Sequence, residues 1–165
     1  MVPIIMGSKA DLAHGQTIAA ELKDFGIDSE IRVASAHKVA KYLLELLAGY
    51  EAGSKTKVYI TIAGRSNALS GLIDAHVSAP VIACPPPSEA FGGADIFSSL
   101  RMPSGVTPAV VLEPKNAALL AAKIIGTNDA KVRERVKQKQ VAASDQVIAD
   151  DRALNAAKIG GLDKK

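Results

Sequence analysis

Short apolar runs alternate with amphipathic segments along most of this chain. Residues 2–6, VPIIM, are apolar without interruption, which is typical of a strand buried on both faces of a sheet. From Lys9 to Phe25 the period changes so that the apolar residues share one helical face, and Gly26 ends this predicted helix. Four alternations of strand and helix predict a doubly wound, mostly parallel α/β sheet.

The same pattern predicts the remaining elements. The strands are SEIRVA, KVYITIAG, APVIACPPP and PAVVLE, and the helices are YLLELLAGYEA, SNALSGLIDAHV, GADIFSSLRM and PKNAALLAAKIIG. KVYITIAG is the clearest strand because its β-branched residues lead to a glycine. No internal repeat or low-complexity linker interrupts the alternation, so residues 1–165 are expected to form a single domain.

Residues 129–158 depart from the alternation. The segment is helix-prone and strongly polar, no strand follows it, and Val132, Val136, Val147 and Ile148 give it only a thin apolar stripe. We expect this extended C-terminal helix to pack on a neighbouring subunit. The alternative is a solvated, fraying tail, because isolated polar helices are marginal in water.

Composition narrows the class of protein. A chain of 165 residues with 48% apolar and 22% charged residues fits one globular domain. Few aromatic residues and a net charge of +3 without a basic stripe disfavour nucleic-acid binding. The single cysteine, Cys84, fits a reducing compartment, and the chain shows no signal peptide or membrane span. A cytoplasmic protein is therefore expected.

Four segments follow the predicted strands at the edge where open parallel sheets bind their ligands. They are MGSKAD, SAHK, AGRSNALSG and CPPPSEAFGGAD, and all are rich in small and hydroxyl residues. In the first, Gly7 allows the backbone to approach a ligand, Ser8 can cap the next helix, and Asp11 lies in its first turn. Helix capping alone would also account for this segment.

The second and third segments carry the candidate chemistry. Beside Ser35 and Ala36, the imidazole of His37 could transfer a proton and Lys38 could stabilise an anion, although a solvated surface turn would look the same. The third segment contains Gly64, Arg65, Ser66 and Asn67, and a guanidinium there suits a carboxylate or phosphate. Arg65 could instead tie loops together through carbonyl oxygens.

The other reactive side chains are expected to be structural. His14 lies on a predicted helix, His76 precedes a strand, and Cys84 ends a strand as a small buried apolar residue. Three widely separated histidines and one cysteine give no credible metal site.

Taken together, six segments resemble the aminoimidazole ribonucleotide (AIR) carboxylases of purine synthesis in order and spacing. They are MGSKAD, SAHK, AGRSNALSG, ACPPPS, SSLRMPSG and NAALLAAKI, and they cover roughly residues 3–126. The resemblance implies a three-layer αβα, flavodoxin-like domain in a homo-oligomer, a tetramer or an octamer. It also implies the ligands AIR, carbon dioxide and the product CAIR, with no cofactor, no metal and no nucleic-acid or membrane partner.

The family has two branches, and this chain is similar to the one that uses carbon dioxide directly. The mutase branch, which uses the N5-carboxylated isomer, typically reads SAHR and then a glycine-rich loop with a second histidine. Here Lys38 replaces that arginine, and Asn67 and Ala68 stand where the histidine motif would be. The mutase remains one alternative function, and a flavodoxin-like binding module without catalysis is another.

The resemblance also implies a role for each candidate residue. His37 would transfer the proton, and Lys38 would lie near carbon dioxide or the new carboxylate, helped by Ser66 and amides of the Gly64 loop. Ser8, Asp11 and Ser35 match the positions that hold the ribose 5-phosphate, and Arg65 adds to them. Asp11 is expected to take a ribose hydroxyl or a backbone donor, because a carboxylate repels a phosphate.

Overall fold

Five parallel strands form one sheet in the computed structural model, which describes residues 1–53 and 57–159. The strands are β1 (Val2–Met6), β2 (Ser29–Val33), β3 (Tyr59–Ile62), β4 (Val81–Ala83) and β5 (Ala109–Val110). Their order, β2-β1-β3-β4-β5, with every pair parallel, is that of a doubly wound flavodoxin-like sheet. The predicted fold class is confirmed, and residues 160–165 of the expected single domain lie outside the described residues.

Helices cover both faces of the sheet and complete the three layers. They are α1 (Leu12–Asp24), α2 (Ala40–Glu51), α3 (Ala68–Asp74), α4 (Phe97–Leu100), α5 (Pro114–Gly126) and α6 (Ala130–Ile159). One face packs α1 and α5 on side chains such as Ile4 and Ile60, and the other packs α2 and α3 on side chains such as Ile5 and Tyr59. β1 and β3 are buried on both faces, which fits their mainly apolar sequences; the polar hydroxyl of Thr61 in β3 is hydrogen-bonded to the Ser70 hydroxyl.

The strand ladders continue into the loops that follow them. The Gly7 N–H donates to the Ile62 carbonyl at 2.9 Å, and the Ala34 N–H donates to the Met6 carbonyl at 2.9 Å. The Cys84 N–H donates to the Thr61 carbonyl at 2.8 Å. These bonds hold the carboxyl ends of β1, β2, β3 and β4 side by side, so the loops beyond them meet at one edge.

The segment GADIFSSLRM differs most from its prediction. A 3₁₀ segment, Ala90–Ile96, precedes the short helix α4, and Phe91, Gly92 and Gly93 all have a positive φ inside it. Consecutive left-handed residues cannot continue a right-handed helix. The chain therefore turns sharply here before it reaches Asp95, which faces the loop after β3.

The long helix α6 has two unlike halves. Val132 and Val136 are buried against the core, Lys139 forms an ion pair with Glu21, and its ammonium lies 5.1 Å from the centre of the Phe25 ring. Beyond this point every described side chain from residue 137 to 156 is exposed, Val147 and Ile148 included. The first half thus packs on its own domain, which the sequence analysis did not expect.

In the described part of the chain, no helix is apolar enough over sufficient length to cross a membrane.

Candidate functional site

A cleft of about 630 Å³ opens at the carboxyl ends of the strands. It brings together ten of the eleven residues predicted for the site, from three separate loops: Gly7, Ser8, Asp11, Ser35, Ala36, His37, Lys38, Gly64, Arg65 and Ser66. These loops are far apart in sequence, and the parallel sheet alone makes them neighbours. Convergence of this kind is typical of a binding site in a doubly wound fold.

The first loop contributes a capping serine and a carboxyl group. The Ser8 Oγ accepts a hydrogen bond from the Ala10 N–H at 3.1 Å, as the predicted cap should. Burial raises the pKa of Asp11, and the nearby imidazole of His14 partly opposes that rise. Ser8 and Asp11 therefore present a hydroxyl and a partly desolvated carboxyl group to the cleft.

The second loop presents His37 and Lys38 to solvent at the wall of the cleft. Residues 36–38 form a turn that is closed by the Val39 N–H donating to the Ser35 carbonyl at 2.9 Å. Both side chains are exposed, and within residues 1–53 and 57–159 neither is held by a hydrogen bond or an ion pair. The imidazole and the ammonium are thus free to meet a ligand together.

The third loop has an unusual backbone. Arg65 adopts a left-handed conformation, with φ of +57°, which bulky residues rarely adopt. Its N–H donates to the Asp95 Oδ2 at 2.9 Å, and its carbonyl lies 2.7 Å from the Ser98 Oγ. Gly64 packs near the same carboxylate, since a Cβ built there would lie 3.8 Å from the Asp95 Oδ2.

Asn67 lies outside the lining of the cleft. It is buried, its Oδ1 accepts from the Ser70 N–H at 3.1 Å, and its Nδ2 donates to the Ser99 Oγ at 2.9 Å. This side chain caps α3, so its hydrogen-bonding groups are used inside the protein. Sequence spacing alone placed Asn67 with its neighbours Arg65 and Ser66 in the predicted site.

The cleft also contains residues that sequence reasoning missed: Ala10, Ala63, Leu69, Pro86, Pro87, Ser88 and Asp95. Ser88 and Asp95 carry the polar groups among them. The position of the segment CPPPSEAFGGAD after a strand predicts a site loop, but its pattern does not show which side chains face inward. The left-handed residues 91–93 lie just before Asp95, whose carboxylate accepts a hydrogen bond from the Arg65 N–H of the third loop.

An apolar recess of about 330 Å³ adjoins the cleft. Its walls include the three consecutive prolines, Ile96 and Leu112, and it shares Gly64, Ser88 and Asp95 with the cleft. The two spaces are therefore parts of one continuous depression at the edge of the sheet.

The remaining reactive residues have structural surroundings. The His14 Nε2 lies 3.3 Å from the Sγ of buried Cys84, and burial raises the pKa of that thiol to about 12. Burial also lowers the pKa of His14, while Asp11 and Glu113 oppose that change. His76 lies in the turn after α3, and its Nδ1 is 2.7 Å from the Leu72 carbonyl of that helix. Among the described residues, no three His, Cys, Asp or Glu side chains are grouped as metal ligands.

Fold and site together define a doubly wound α/β domain with a cleft at the carboxyl ends of its strands. A sequence model described as AIR carboxylase matches residues 1–146. The chain belongs to the AIR carboxylase family.

Individual relatives agree with this assignment. The chain is 54% identical to a phosphoribosylaminoimidazole carboxylase of Treponema denticola, over 93% of this chain and 97% of the relative. It is also 54% identical to the enzyme of that name from Archaeoglobus fulgidus, over 92% of this chain and 83% of the relative. A crystal structure of Treponema denticola PurE superposes with a TM-score of 0.92 at 55% identity, over 93% of this chain and 97% of that one.

Proposed function

We propose that this protein is a phosphoribosylaminoimidazole carboxylase, which joins carbon dioxide to C4 of AIR and gives CAIR. The observation that carries the proposal is the convergence of His37, Lys38 and the loops at Gly7 and Gly64 in one cleft. Two relatives that match nearly the whole chain bear this enzyme name. The enzyme is a carboxy-lyase of purine biosynthesis.

The chemistry of AIR explains what such a cleft has to supply. C4 of this aminoimidazole is electron-rich and attacks the carbon of carbon dioxide as an enamine carbon does. A C–C bond forms, and the proton that C4 carried must then leave. Because the carbon nucleophile is reactive by itself, the reaction requires no ATP, biotin or metal. The protein aligns the two partners, excludes water and removes the proton.

His37 and Lys38 divide this work between them. His37 takes the proton from C4, since an imidazole can carry a proton near neutral pH. Lys38 places a positive charge beside the oxygen atoms of carbon dioxide, where negative charge develops as the carboxylate forms. Ser66 and the backbone amides near Gly64 add hydrogen bonds to the same oxygen atoms. Exposure of His37 and Lys38 at one cleft wall supports this division.

The first loop and its neighbours bind the ribose 5-phosphate. Ser8 and Ser35 supply hydroxyl donors, and the small residues Gly7 and Ala36 let the backbone approach the ligand. Arg65 adds a positive charge suited to a phosphate. Asp11 binds a ribose hydroxyl, because its carboxylate would repel the phosphate.

The direct test is to offer the protein its two possible substrates. Purified protein is given AIR with bicarbonate-derived carbon dioxide, or the N5-carboxylated isomer, and formation of CAIR is followed against a blank without protein. We expect CAIR from AIR and carbon dioxide without ATP. Activity with the isomer alone would identify a mutase, and inactivity with both would leave a binding module.

We also propose that the protein is a homo-oligomer, a tetramer or an octamer, in which the exposed second half of the helix over residues 129–158 packs on a neighbouring subunit. The support is the exposed second half of α6, where Val147 is 68% and Leu154 is 68% exposed. A helix without tertiary packing is marginal in water, so another surface is needed to stabilise this one. We place the enzyme in the cytoplasm, where a phosphorylated substrate that cannot cross membranes is retained.

A further inference from the structure

Residues 95–99 are bound tightly to the third loop, residues 64–67, although about thirty residues of chain separate them. The Arg65 N–H donates to the Asp95 Oδ2 at 2.9 Å, and the Asn67 N–H donates to the Ser98 Oγ at 3.0 Å. The Asn67 Nδ2 donates to the Ser99 Oγ at 2.9 Å. We call residues 95–99 the clamp segment.

The Ser98 hydroxyl, within the clamp segment, contacts backbone groups of both the third loop and the clamp segment. The Ser98 Oγ lies 2.7 Å from the Arg65 carbonyl and 2.8 Å from the Asp95 carbonyl, and its one hydrogen can be donated to either. Its lone pair accepts from the Asn67 N–H at the same time. Asp95 and Ser98 therefore hold the backbone of the third loop on both sides of Ser66.

The third loop needs such support because Arg65 has a left-handed backbone. A non-glycine residue keeps this conformation only where surrounding structure determines it, and such positions concentrate at functional sites. Here the N–H and the carbonyl of the strained residue are both bonded to the clamp segment. The cleft lining on either side, Gly64 and Ser66, depends on the same backbone.

We propose that Asp95 and Ser98 are positioning residues that hold the third loop in the geometry the carboxylation requires. This inference rests on the proposed function, and it assigns a role to two residues that the sequence motifs did not identify. Asp95 acts through its carboxylate oxygen as a hydrogen-bond acceptor, and its negative charge is not needed. The loops after β3 and β4 thus form one rigid wall that places Ser66 and the Gly64 amides against the substrate.

Variants at Asp95 separate an acceptor role from a charge role. Asp95→Ala removes the acceptor, whereas Asp95→Asn keeps a side-chain oxygen that the Arg65 N–H can reach. We expect Asp95→Ala to lower kcat/KM by about 10- to 100-fold, chiefly in kcat, because small misplacements at a reaction centre are costly. Asp95→Asn should stay within about threefold of the parent protein, since the hydrogen bond survives.

A serine pair supplies the matched control. Ser98→Ala should lower kcat by about tenfold, since Ser98 does not line the cleft and acts only through the loop. Ser78 is exposed and precedes β4, at the opposite edge of the sheet from the cleft, so Ser78→Ala should match the parent protein. Unchanged kinetics in both Asp95→Ala and Ser98→Ala would overturn the proposal. So would an equal loss in Asp95→Asn and Asp95→Ala, which would show that the charge is what matters.

Amide hydrogen exchange provides a readout independent of catalysis. Asp95→Ala and Ser98→Ala should speed exchange in the peptide containing residues 64–67 and leave the peptide of β1 unchanged. Parent protein that makes no CAIR would refute the proposed function. The exchange data would still show whether Asp95 and Ser98 hold the third loop in place. If Asp95→Ala fails to fold, Ser98→Ala and Asp95→Asn replace it. Ser98→Ala removes a hydrogen-bonding group from the clamp segment, whereas Asp95→Asn removes only the charge. No change in exchange at residues 64–67 in Ser98→Ala would then contradict the proposal.

Discussion

His37 and Lys38 stand next to each other, yet they perform different steps in the proposed reaction. Both are exposed at the cleft wall, where a bound imidazole ring can lie against them. A proton-transfer group changes the rate of the chemical step, whereas a group that binds the ribose 5-phosphate changes affinity. This difference gives each residue its own kinetic signature.

Replacing His37 by asparagine should remove turnover and preserve binding. We expect His37→Asn to lower kcat by at least about 100-fold, because positioned proton transfer contributes factors of that size. Affinity for AIR should stay within about tenfold, which is ~1.4 kcal/mol. His76→Asn is the matched control, since that exposed histidine lies in the turn after α3 and does not line the cleft. Steady-state kinetics and calorimetric titration measure the two quantities, and an active His37→Asn protein would remove His37 from the proton-transfer role.

His14 should make the stability of the protein depend on pH. Its folded-state pKa lies below the ordinary 6.5 because burial disfavours the charged ring, although Asp11, Glu113 and the contact with Cys84 oppose this. As pH falls below 6.5 the unfolded chain takes up the proton first, so the folded state loses stability. Above 6.5 this stabilisation is fully present.

Urea denaturation at several pH values tests this effect. The parent protein should lose more stability between pH 7.5 and pH 5.5 than His14→Gln does. The other two histidines are common to both proteins and cancel in the difference. Parallel pH profiles for the two proteins would contradict the assigned role of burial.

At single positions, the sequence indicates which residues line the cleft more accurately after a clearly defined strand end than where the backbone turns. Ser8, His37 and Ser66 follow strands whose ends the apolar pattern defines, and all three line the cleft. Asn67 was included by adjacency, yet the start of α3 turns it inward. The sequence could not show that Asp95 faces the cleft. The chain before it includes Phe91 in a left-handed conformation, which a phenylalanine does not indicate in a sequence.

Among the elements, α6 bears most directly on the proposed homo-oligomer. Its first half is held by Val132, Val136 and the Lys139–Glu21 ion pair, and its second half has no cover from the described residues of its own chain. Val147 and Ile148 are 68% and 48% exposed. The two halves can therefore be altered separately.

Charged substitutions in the second half of α6 should reduce subunit number without unfolding the domain. We expect Val147→Lys combined with Ile148→Lys to lower the mass measured by light scattering, because buried lysine is costly at an interface. Ala153 lies on the other side of a helix with 3.6 residues per turn, so Ala153→Lys should keep the parent mass. An unchanged mass in the double variant would show that this face is not an interface.

Helix and strand prediction succeeded where local signals are strong. Pro114 and Gly126 bound α5 as predicted, since proline favours the first turn and glycine the end of a helix. PAVVLE gives a strand of only two residues, Ala109 and Val110, which pair with Ile82 and Ala83 of the short strand β4. Pairing of this kind depends on tertiary contacts that a single sequence does not contain.

For the whole molecule, the order of strands determines the site. Because β1 lies between β2 and β3, the loops at Gly7, Ser35 and Gly64 adjoin one another. The alternation of strand and helix predicts a parallel sheet, and the family resemblance implies three layers, but neither states the order of the strands. The packing of the first half of α6 on its own domain could not be predicted, because Val132 and Val136 give only a thin apolar stripe and the contacts of Lys139 with Glu21 and Phe25 join distant parts of the sequence.

A crystal structure of the protein with CAIR bound tests the central claim most directly. We predict that the imidazole carboxylate lies between His37 and Lys38, with its oxygen atoms toward the Gly64 loop and the 5-phosphate near Ser8. A nucleotide bound elsewhere, or a carboxylate facing away from both side chains, would contradict the account.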